Sequence, residues 1–193
     1  MKAAFGARGV KAAFGALGLS LALAAAAASP SPRPESVAAA PRVEAYFTPG
    51  DEVDRAIVAR IALAQESIQV EAYLFTNRRI ATALAKAAQR GVAVELIGDA
   101  RQHEAGGLPV VKPLARAGVR IWLQGAYAAF HNKVVLIDAQ SPSPVVVTGS
   151  YNFTQAAESR NAENIVVVSG DRRLAERFAR DFARHRESAS RLQ

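Results

Sequence analysis

Short apolar runs alternate with longer amphipathic segments from residue 43 to residue 123. The short runs have the length of β-strands, and the longer segments repeat apolar residues at helical spacing, as in Val53, Ile57 and Ile61. Such alternation is typical of an α/β sheet covered by helices on both faces. The pattern therefore predicts an α/β fold with a mixed, largely parallel central sheet. Strands are predicted at residues 43–48, 67–74, 92–98 and 119–123, and helices at residues 52–65, 77–90 and 108–117.

The regular alternation stops after residue 123. Residues 131–138 and 145–148 are apolar runs with a short connection, which predicts a β-hairpin. A further strand is predicted at residues 164–168, and a last helix runs from residue 171 to about residue 187, with one apolar stripe. We find no internal repeat, so the C-terminal part of the chain is expected to form one domain.

The N-terminal segment has the composition of an export signal. Three basic residues lie within the first 11 positions, and an uncharged apolar run from residue 12 to residue 28 ends in small residues suited to signal peptidase. This run is short for a membrane span, so residues 1–28 are expected to be a cleaved signal peptide rather than a retained anchor. Residues 29–41 are rich in proline and predict a linker. The folded domain is expected at residues 42–193, in a periplasmic or secreted protein.

The charge of the chain is moderately basic. Lys and Arg number 24 against 17 Asp and Glu, which gives a net charge of +7. Without the first 28 residues the net charge would be +4. A basic surface suits a polyanion. The chain has no cysteine, which excludes disulfides, thiolate metal sites and a cysteine nucleophile.

Four polar side chains near the predicted hairpin have spacings that can bring them together. His131 and Lys133 are two residues apart and share a face of a strand, and Ser150 and Asn152 do the same if the chain stays extended. Gly149, just before Ser150, allows close backbone approach. An imidazole can act as nucleophile or general acid, and the other three groups can hold the non-bridging oxygens of a phosphate. The pattern predicts phosphoryl transfer without a metal ion or other cofactor.

Two acidic residues accompany this set. Asp138 lies seven residues after His131, an odd number, so on a straight strand it faces away from the imidazole. We therefore expect Asp138 to have a structural role, bonding a neighbouring backbone or loop. A carboxylate that orients His131 must come from elsewhere, and Glu163 on the next strand is the candidate.

The residues His131-x-Lys133-x4-Asp138, Gly149-Ser150-x-Asn152 and Asn161-Ala-Glu163-Asn164 together resemble the HKD motif of the phospholipase D superfamily. The resemblance is greatest to its short, single-motif members, which are the bacterial periplasmic endonuclease type and the nucleases similar to mitochondrial cardiolipin hydrolase. It extends over about residues 43–187. The connection of residues 139–148 is longer than is usual in the family and contains Ser-Pro-Ser-Pro. That difference affects the hairpin loop.

The resemblance implies a mechanism and an assembly. His131 would attack phosphorus to form a phosphohistidine, and a second histidine would protonate the leaving oxygen. Each reaction needs two copies of the motif, whereas this chain has one, so the resemblance implies a homodimer with one shared active site. The catalytic set would be His131, Lys133, Glu163 and, in its structural role, Asp138. Lys133, Ser150 and Asn152 would bind the substrate phosphate, and no metal would be required.

Three functions stay open at this point. The first is a metal-independent, non-specific endonuclease, and the second is a phospholipase D-type hydrolase of phosphatidylcholine or cardiolipin. The third is a non-catalytic nucleic-acid-binding module that keeps the fold. The arginines of the last predicted helix are expected to form a solvated face, with contact to DNA as the alternative.

Overall fold

The computed structural model describes residues 40–192, so the predicted signal peptide and nearly all of the predicted linker lie outside the described residues. Eight strands in this part of the chain form one sheet in the order β1-β7-β6-β5-β2-β3-β4-β8. The strands are β1 (Arg42–Thr48), β2 (Ser67–Ala72), β3 (Ala93–Asp99), β4 (Arg120–Gln124), β5 (Lys133–Ile137), β6 (Val145–Gly149), β7 (Glu163–Ser169) and β8 (Ser190–Arg191).

The sheet is mixed, as predicted, but its parallel share is smaller than expected. Only the pairs β2–β3 and β3–β4 are parallel, and the other five pairs between described strands are antiparallel. Parallel neighbours need a crossover, which helices supply only between β2 and β4. From β5 the chain turns back in a hairpin to β6, β6 and β7 pair antiparallel across a longer connection, and β1 pairs with β7 at the edge.

Helices cover both faces of the sheet. Asn77 caps one of them by accepting hydrogen bonds from the backbone N–H groups of Arg79 and Ile80, and Asp171 caps the last one through Leu174. The four predicted helices are present, although the one predicted at residues 108–117 is confined to Val111–Arg116. The short segments Ala100–Glu104, Gln155–Ser159 and Ser190–Arg191 were not predicted. The helices are α1 (Val53–Leu63), α2 (Arg78–Gln89), α3 (Ala100–Glu104), α4 (Val111–Arg116), α5 (Gln155–Ser159) and α6 (Arg172–Glu187).

The core has one large layer and one thinner layer. The large layer packs α1 and α2 against the sheet, with fully buried residues such as Ile57, Leu84 and Leu96. The thinner layer lies under α6, where Phe182 packs with Ile97 and Phe130. Several polar side chains are also buried on the α6 side of the sheet, among them Glu71, Glu95 and His185. No helix among residues 40–192 is both long and apolar enough to cross a membrane.

Candidate active site

The sheet order brings four strand ends together along one edge of the sheet, meaning the edge formed by the ends of the strands and not an outer strand. β5 runs antiparallel to β2 and β6, and β6 runs antiparallel to β7. The start of β5, the ends of β2 and β6 and the start of β7 therefore lie side by side. This edge carries the residues that the sequence singled out in separate segments, namely His131, Lys133, Ser150, Asn152 and Glu163.

His131 and Lys133 form a close pair at this edge. Lys133 Nζ lies 3.0 Å from His131 Nδ1 and donates to the His131 backbone carbonyl at 2.8 Å. The ring of Tyr73 packs against the imidazole with a centroid separation of 4.4 Å, and Lys133 Nζ lies 5.2 Å from the centroid of the same ring. His131 is exposed, while Lys133 is buried. An accessible imidazole thus stands directly beside a partly desolvated positive charge.

The pKa of Lys133 is lowered by burial, and the negative charge of Glu163 opposes the shift. Only the protonated ammonium attracts a phosphate, so kcat/KM is expected to fall as pH rises through this lowered pKa, before the usual lysine value of about 10.4. The Lys133→Arg variant keeps its charge beyond pH 12, so its kcat/KM should not show this fall at basic pH. Its activity should be lower than that of wild type at every pH. A basic limb common to both proteins would assign the titration to another group.

Ser150 and Asn152 extend the site along β6 and beyond. The Ser150 hydroxyl accepts a hydrogen bond from the backbone N–H of Asn164 at 3.1 Å, which leaves its own proton free to be donated. The Oδ1 atom of Asn152 is buried and has no hydrogen-bond partner among the described residues. A Cβ at Gly149 would collide with the Asn164 backbone, so the pairing of β6 with β7 itself requires glycine here. Its expected role in the close approach of an anion remains a prediction.

Glu163 does not contact His131 within the described chain. Its Oε1 atom accepts from Asn161 Nδ2 at 3.0 Å, and its charge acts on Lys133. An orienting carboxylate would bond Nδ1 of His131, but the Lys133 ammonium already occupies the place beside this atom. The role of Glu163 as the orienting carboxylate therefore remains a prediction.

Asp138 lies at the opposite end of β5 from His131. Its carboxylate accepts three hydrogen bonds of 2.8–2.9 Å from the backbone N–H groups of Gln65, Glu66 and Ser67. It therefore holds the connection between α1 and β2, which is the structural role that strand parity indicated. The longer connection before β6 begins at this same end, away from His131.

Comparison with known proteins agrees with this geometry. A family model described as "Cardiolipin synthase, PLD-like domain" matches residues 57–186. The chain is 35% identical over 147 residues to a protein named Phospholipase D from Rickettsia felis. The matched region covers 76% of this chain and 70% of the relative. The chain belongs to the phospholipase D superfamily. Members of this superfamily are phosphodiester hydrolases, and this chain is therefore an enzyme of that class.

Solved structures and a more distant relative extend the comparison. The crystal structure of Nuc from Salmonella typhimurium, a phospholipase D family member, matches with a TM-score of 0.74 and 30% identity over 79% of this chain and 99% of Nuc. NucT from Helicobacter pylori, at 22% identity and a TM-score of 0.70, shows the shared fold. A mitochondrial cardiolipin hydrolase from Xenopus tropicalis is 31% identical over 121 residues, 63% of this chain and 55% of that protein.

Several residues around the site were not predicted from the sequence. Tyr73 supports His131, and its hydroxyl accepts a hydrogen bond from Gln102 Nε2 at 2.9 Å. His185, which the sequence placed only in a basic helix, is buried against Glu71. A signal for His185 was present, because it lies three residues after Phe182 and so continues the apolar stripe of α6.

One group of side chains among residues 40–192 has ligand atoms close enough to hold a metal ion. It consists of Glu71, Asp181 and His185. Two of these already bond each other, since His185 Nδ1 lies 2.8 Å from Glu71 Oε1. The other oxygen of Glu71 accepts from Asn132. The direct pairing accounts for these ligand atoms without a metal, and the absence of a metal requirement remains a prediction.

Proposed function

We propose that this phosphodiester hydrolase is a metal-independent endonuclease that cleaves nucleic acid with little sequence preference. The observation that supports this most directly is the exposed His131 beside Lys133 at an open sheet edge, in a fold that matches Nuc at 30% identity. Contacts to phosphate carry no base information, so low sequence preference follows from such a site.

In the proposed mechanism, His131 Nε2 attacks phosphorus and the bond to the leaving oxygen breaks. A second imidazole gives its proton to that oxygen and then removes a proton from the water that hydrolyses the phosphohistidine. Lys133 only donates, so the neutral imidazole in the free site keeps its proton on Nε2. Attack requires Lys133 to turn from Nδ1 to the phosphate and the ring proton to move from Nε2 to Nδ1 by exchange with water, which frees the Nε2 lone pair. Nδ1–H can then donate to a carboxylate. We propose Glu163 for this position.

The second imidazole is proposed to come from another copy of the chain. The other two histidines, His103 and His185, do not lie in a second motif, and His185 is engaged with Glu71. A self-complementary two-fold interface would bring two copies of His131 together. β1, whose Thr48 pairs with Glu163, exposes Val43 and Phe47 at 64% and 59%. This apolar strand face beside the site is proposed to be part of the dimer interface.

Phe47→Asp is expected to weaken the dimer, because it places a charge in the proposed interface. The dimer Kd should rise at least about 30-fold, the effect of losing a strong interface contact, and activity should return as protein concentration is raised. Analytical ultracentrifugation and rate measurements over a range of concentrations check this. Leu63→Asp is the matched control, since Leu63 is 73% exposed at the other end of the sheet. Equal dimerisation of both variants would remove this face from the interface.

The outer face of α6 supports nucleic acid as the substrate. Arg177, Arg180 and Arg184 line one groove along this helix, and Arg184 donates to the hydroxyl of Tyr127, three residues before Phe130. Among the described residues, none of the exposed large apolar side chains lies on α6. A helix face of arginines with Tyr127 as its exposed aromatic neighbour suits a phosphate backbone better than a lipid bilayer.

The test is a nuclease assay on the purified protein in EDTA. We expect plasmid and single-stranded substrates to be cut in EDTA, with activity falling steeply as salt rises, because bound phosphates release counterions. His131→Asn is the inactive control. Cleavage that depends on added magnesium would contradict the proposed mechanism.

Phospholipid is the second candidate substrate. Relatives at 35% identity carry the name Phospholipase D, and Phe47 exposes apolar surface close to the site, where a lipid chain could lie. Choline release from phosphatidylcholine vesicles and phosphatidic acid release from cardiolipin vesicles test this in EDTA. Faster turnover of either vesicle than of nucleic acid, lost in His131→Asn, would replace the endonuclease proposal.

We also propose that the protein is exported. The support is the basic segment followed by the apolar run within residues 1–28. Fractionation of the expressing cell, with mass spectrometry of the mature N-terminus, tests both export and the cleavage position.

A further inference from the structure

A buried carboxylate lies directly beneath the active site. Glu71 on β2 is 3% exposed, and its two oxygens bond different partners. Oε1 lies 2.8 Å from Nδ1 of His185 on α6, and Oε2 accepts from Asn132 Nδ2 at 2.7 Å. A buried charge is costly unless it is fully hydrogen-bonded, and hydrophobic residues would often be as stable in its place. Stability alone therefore does not explain this network, and the residues that it holds in place indicate its role.

The hydrogen bonds determine the protonation of this network. Arg184 Nη2 lies 3.2 Å from Nε2 of His185, and a guanidinium only donates, so Nε2 must accept. The proton of the neutral imidazole is then on Nδ1 and is donated to Glu71. Glu71 accepts from Asn132 as well, so both of its oxygens act as acceptors, and these two hydrogen bonds oppose the rise in its pKa that burial causes. Besides Glu71, the charged groups that face His185 are therefore Arg184 and Asp181, whose carboxylate lies 3.7 Å from Nδ1.

Asn132 connects this network to the reaction centre. It is the residue between His131 and Lys133, and its side chain turns towards Glu71 on the α6 side of the sheet. Its backbone carbonyl accepts from the N–H of Tyr73 at 3.1 Å, the same residue whose ring supports the imidazole. Asn132 is thus held through both its side chain and its backbone, and its neighbours in the chain are the two groups that must meet the phosphate.

His185 also holds the segment that leads into the site. Its ring packs edge-on against Phe130 at a centroid distance of 5.0 Å and against Tyr127 at 5.6 Å. The backbone N–H of Phe130 donates to Asp99 at 2.7 Å. The approach to His131 is therefore anchored to α6 and β3 before the strand begins.

We propose that Glu71, Asn132 and His185 form a positioning network that sets the relative placement of His131 and Lys133 and so controls the turnover step more than substrate binding. This inference rests on the proposed phosphodiester hydrolysis at His131. A displacement of about 1 Å in a reacting group can cost about 100-fold in rate. Damage to the network should therefore lower kcat, while KM changes little.

A reciprocal exchange tests the central hydrogen bond. Asn132→Asp sets two carboxylates against each other and is expected to lower kcat about 100-fold. Adding Glu71→Gln restores a donor to that position, while the remaining carbonyl oxygen still accepts from His185. In an assay with bis(p-nitrophenyl) phosphate, kcat of the double variant should be at least about tenfold higher than kcat of Asn132→Asp. Its KM should lie within about twofold of the wild-type value. His185→Leu should lower kcat, and His185→Gln, whose amide can donate to Glu71, should retain most of it.

Gln69→Ala on the same strand is the control and should leave kcat unchanged. NMR of the His131 imidazole provides a readout that does not require turnover. Its resonances should move in Asn132→Asp and return in the double variant. No movement of these resonances, or no recovery of kcat on exchange, would overturn the positioning role. If wild type is inactive on every phosphodiester while the resonances behave as expected, the proposed function fails and the positioning network stands.

Discussion

His131→Asn is expected to lower kcat by about 10⁴-fold or more, because it removes the nucleophile and no other imidazole in the chain can replace it. Binding of nucleic acid should change little, since Lys133 and the arginines of α6 remain. Single-turnover cleavage in EDTA and fluorescence anisotropy with labelled DNA measure the two quantities. His103→Asn is the matched control, because His103 lies on α3 outside the catalytic set.

Mixing experiments extend this prediction to the proposed dimer. If each dimer has one site with one imidazole from each chain, a mixed dimer of wild type and His131→Asn is inactive. When equal amounts are mixed under conditions that exchange subunits, about a quarter of the dimers retain both imidazoles, so activity should fall to about a quarter of that of the same total amount of wild type. A fall to about half would mean that each chain works independently.

Asp138→Ala is expected to destabilise the fold by about 3–4 kcal/mol, because three backbone N–H groups lose a charged acceptor at once. The backbone adds to this effect. Asp138 has φ 48°, a left-handed conformation that aspartate tolerates better than alanine. Urea unfolding measures the change in free energy of unfolding. Asp138→Gly should be less harmful than alanine by up to about 1 kcal/mol, since glycine adopts this conformation without strain.

The activity of the folded Asp138 variants separates structure from catalysis. Asp138 lies at the far end of β5 from His131, so kcat per folded molecule should match that of wild type at low temperature. A kcat reduced as strongly as in His131→Asn, in protein that is fully folded, would contradict the structural role of this carboxylate.

Much of the site could be predicted from local spacing. Side chains alternate along a strand, so the pairing of His131 with Lys133 and the opposite direction of Asp138 followed from counting residues. The helical stripe of α6 is a local pattern of the same kind. These features depend on neighbours in the chain, and the sequence contains that information directly.

Other features depend on which distant elements meet. Glu71 and His185 are 114 residues apart, and they pair because β2 lies under the C-terminal half of α6. The contact of Lys133 with Nδ1 of His131, and the separation of Glu163 from it, likewise depend on side-chain packing at the sheet edge.

The sequence by itself thus determined seven of the eight described strands, the long helices and the motif, because each of these depends on the period of a single element. The small share of parallel pairs and the buried network beneath His131 were decided only by the tertiary structure. The physical reason is that sheet order and helix placement are set by the burial of whole apolar faces, to which residues throughout the chain contribute.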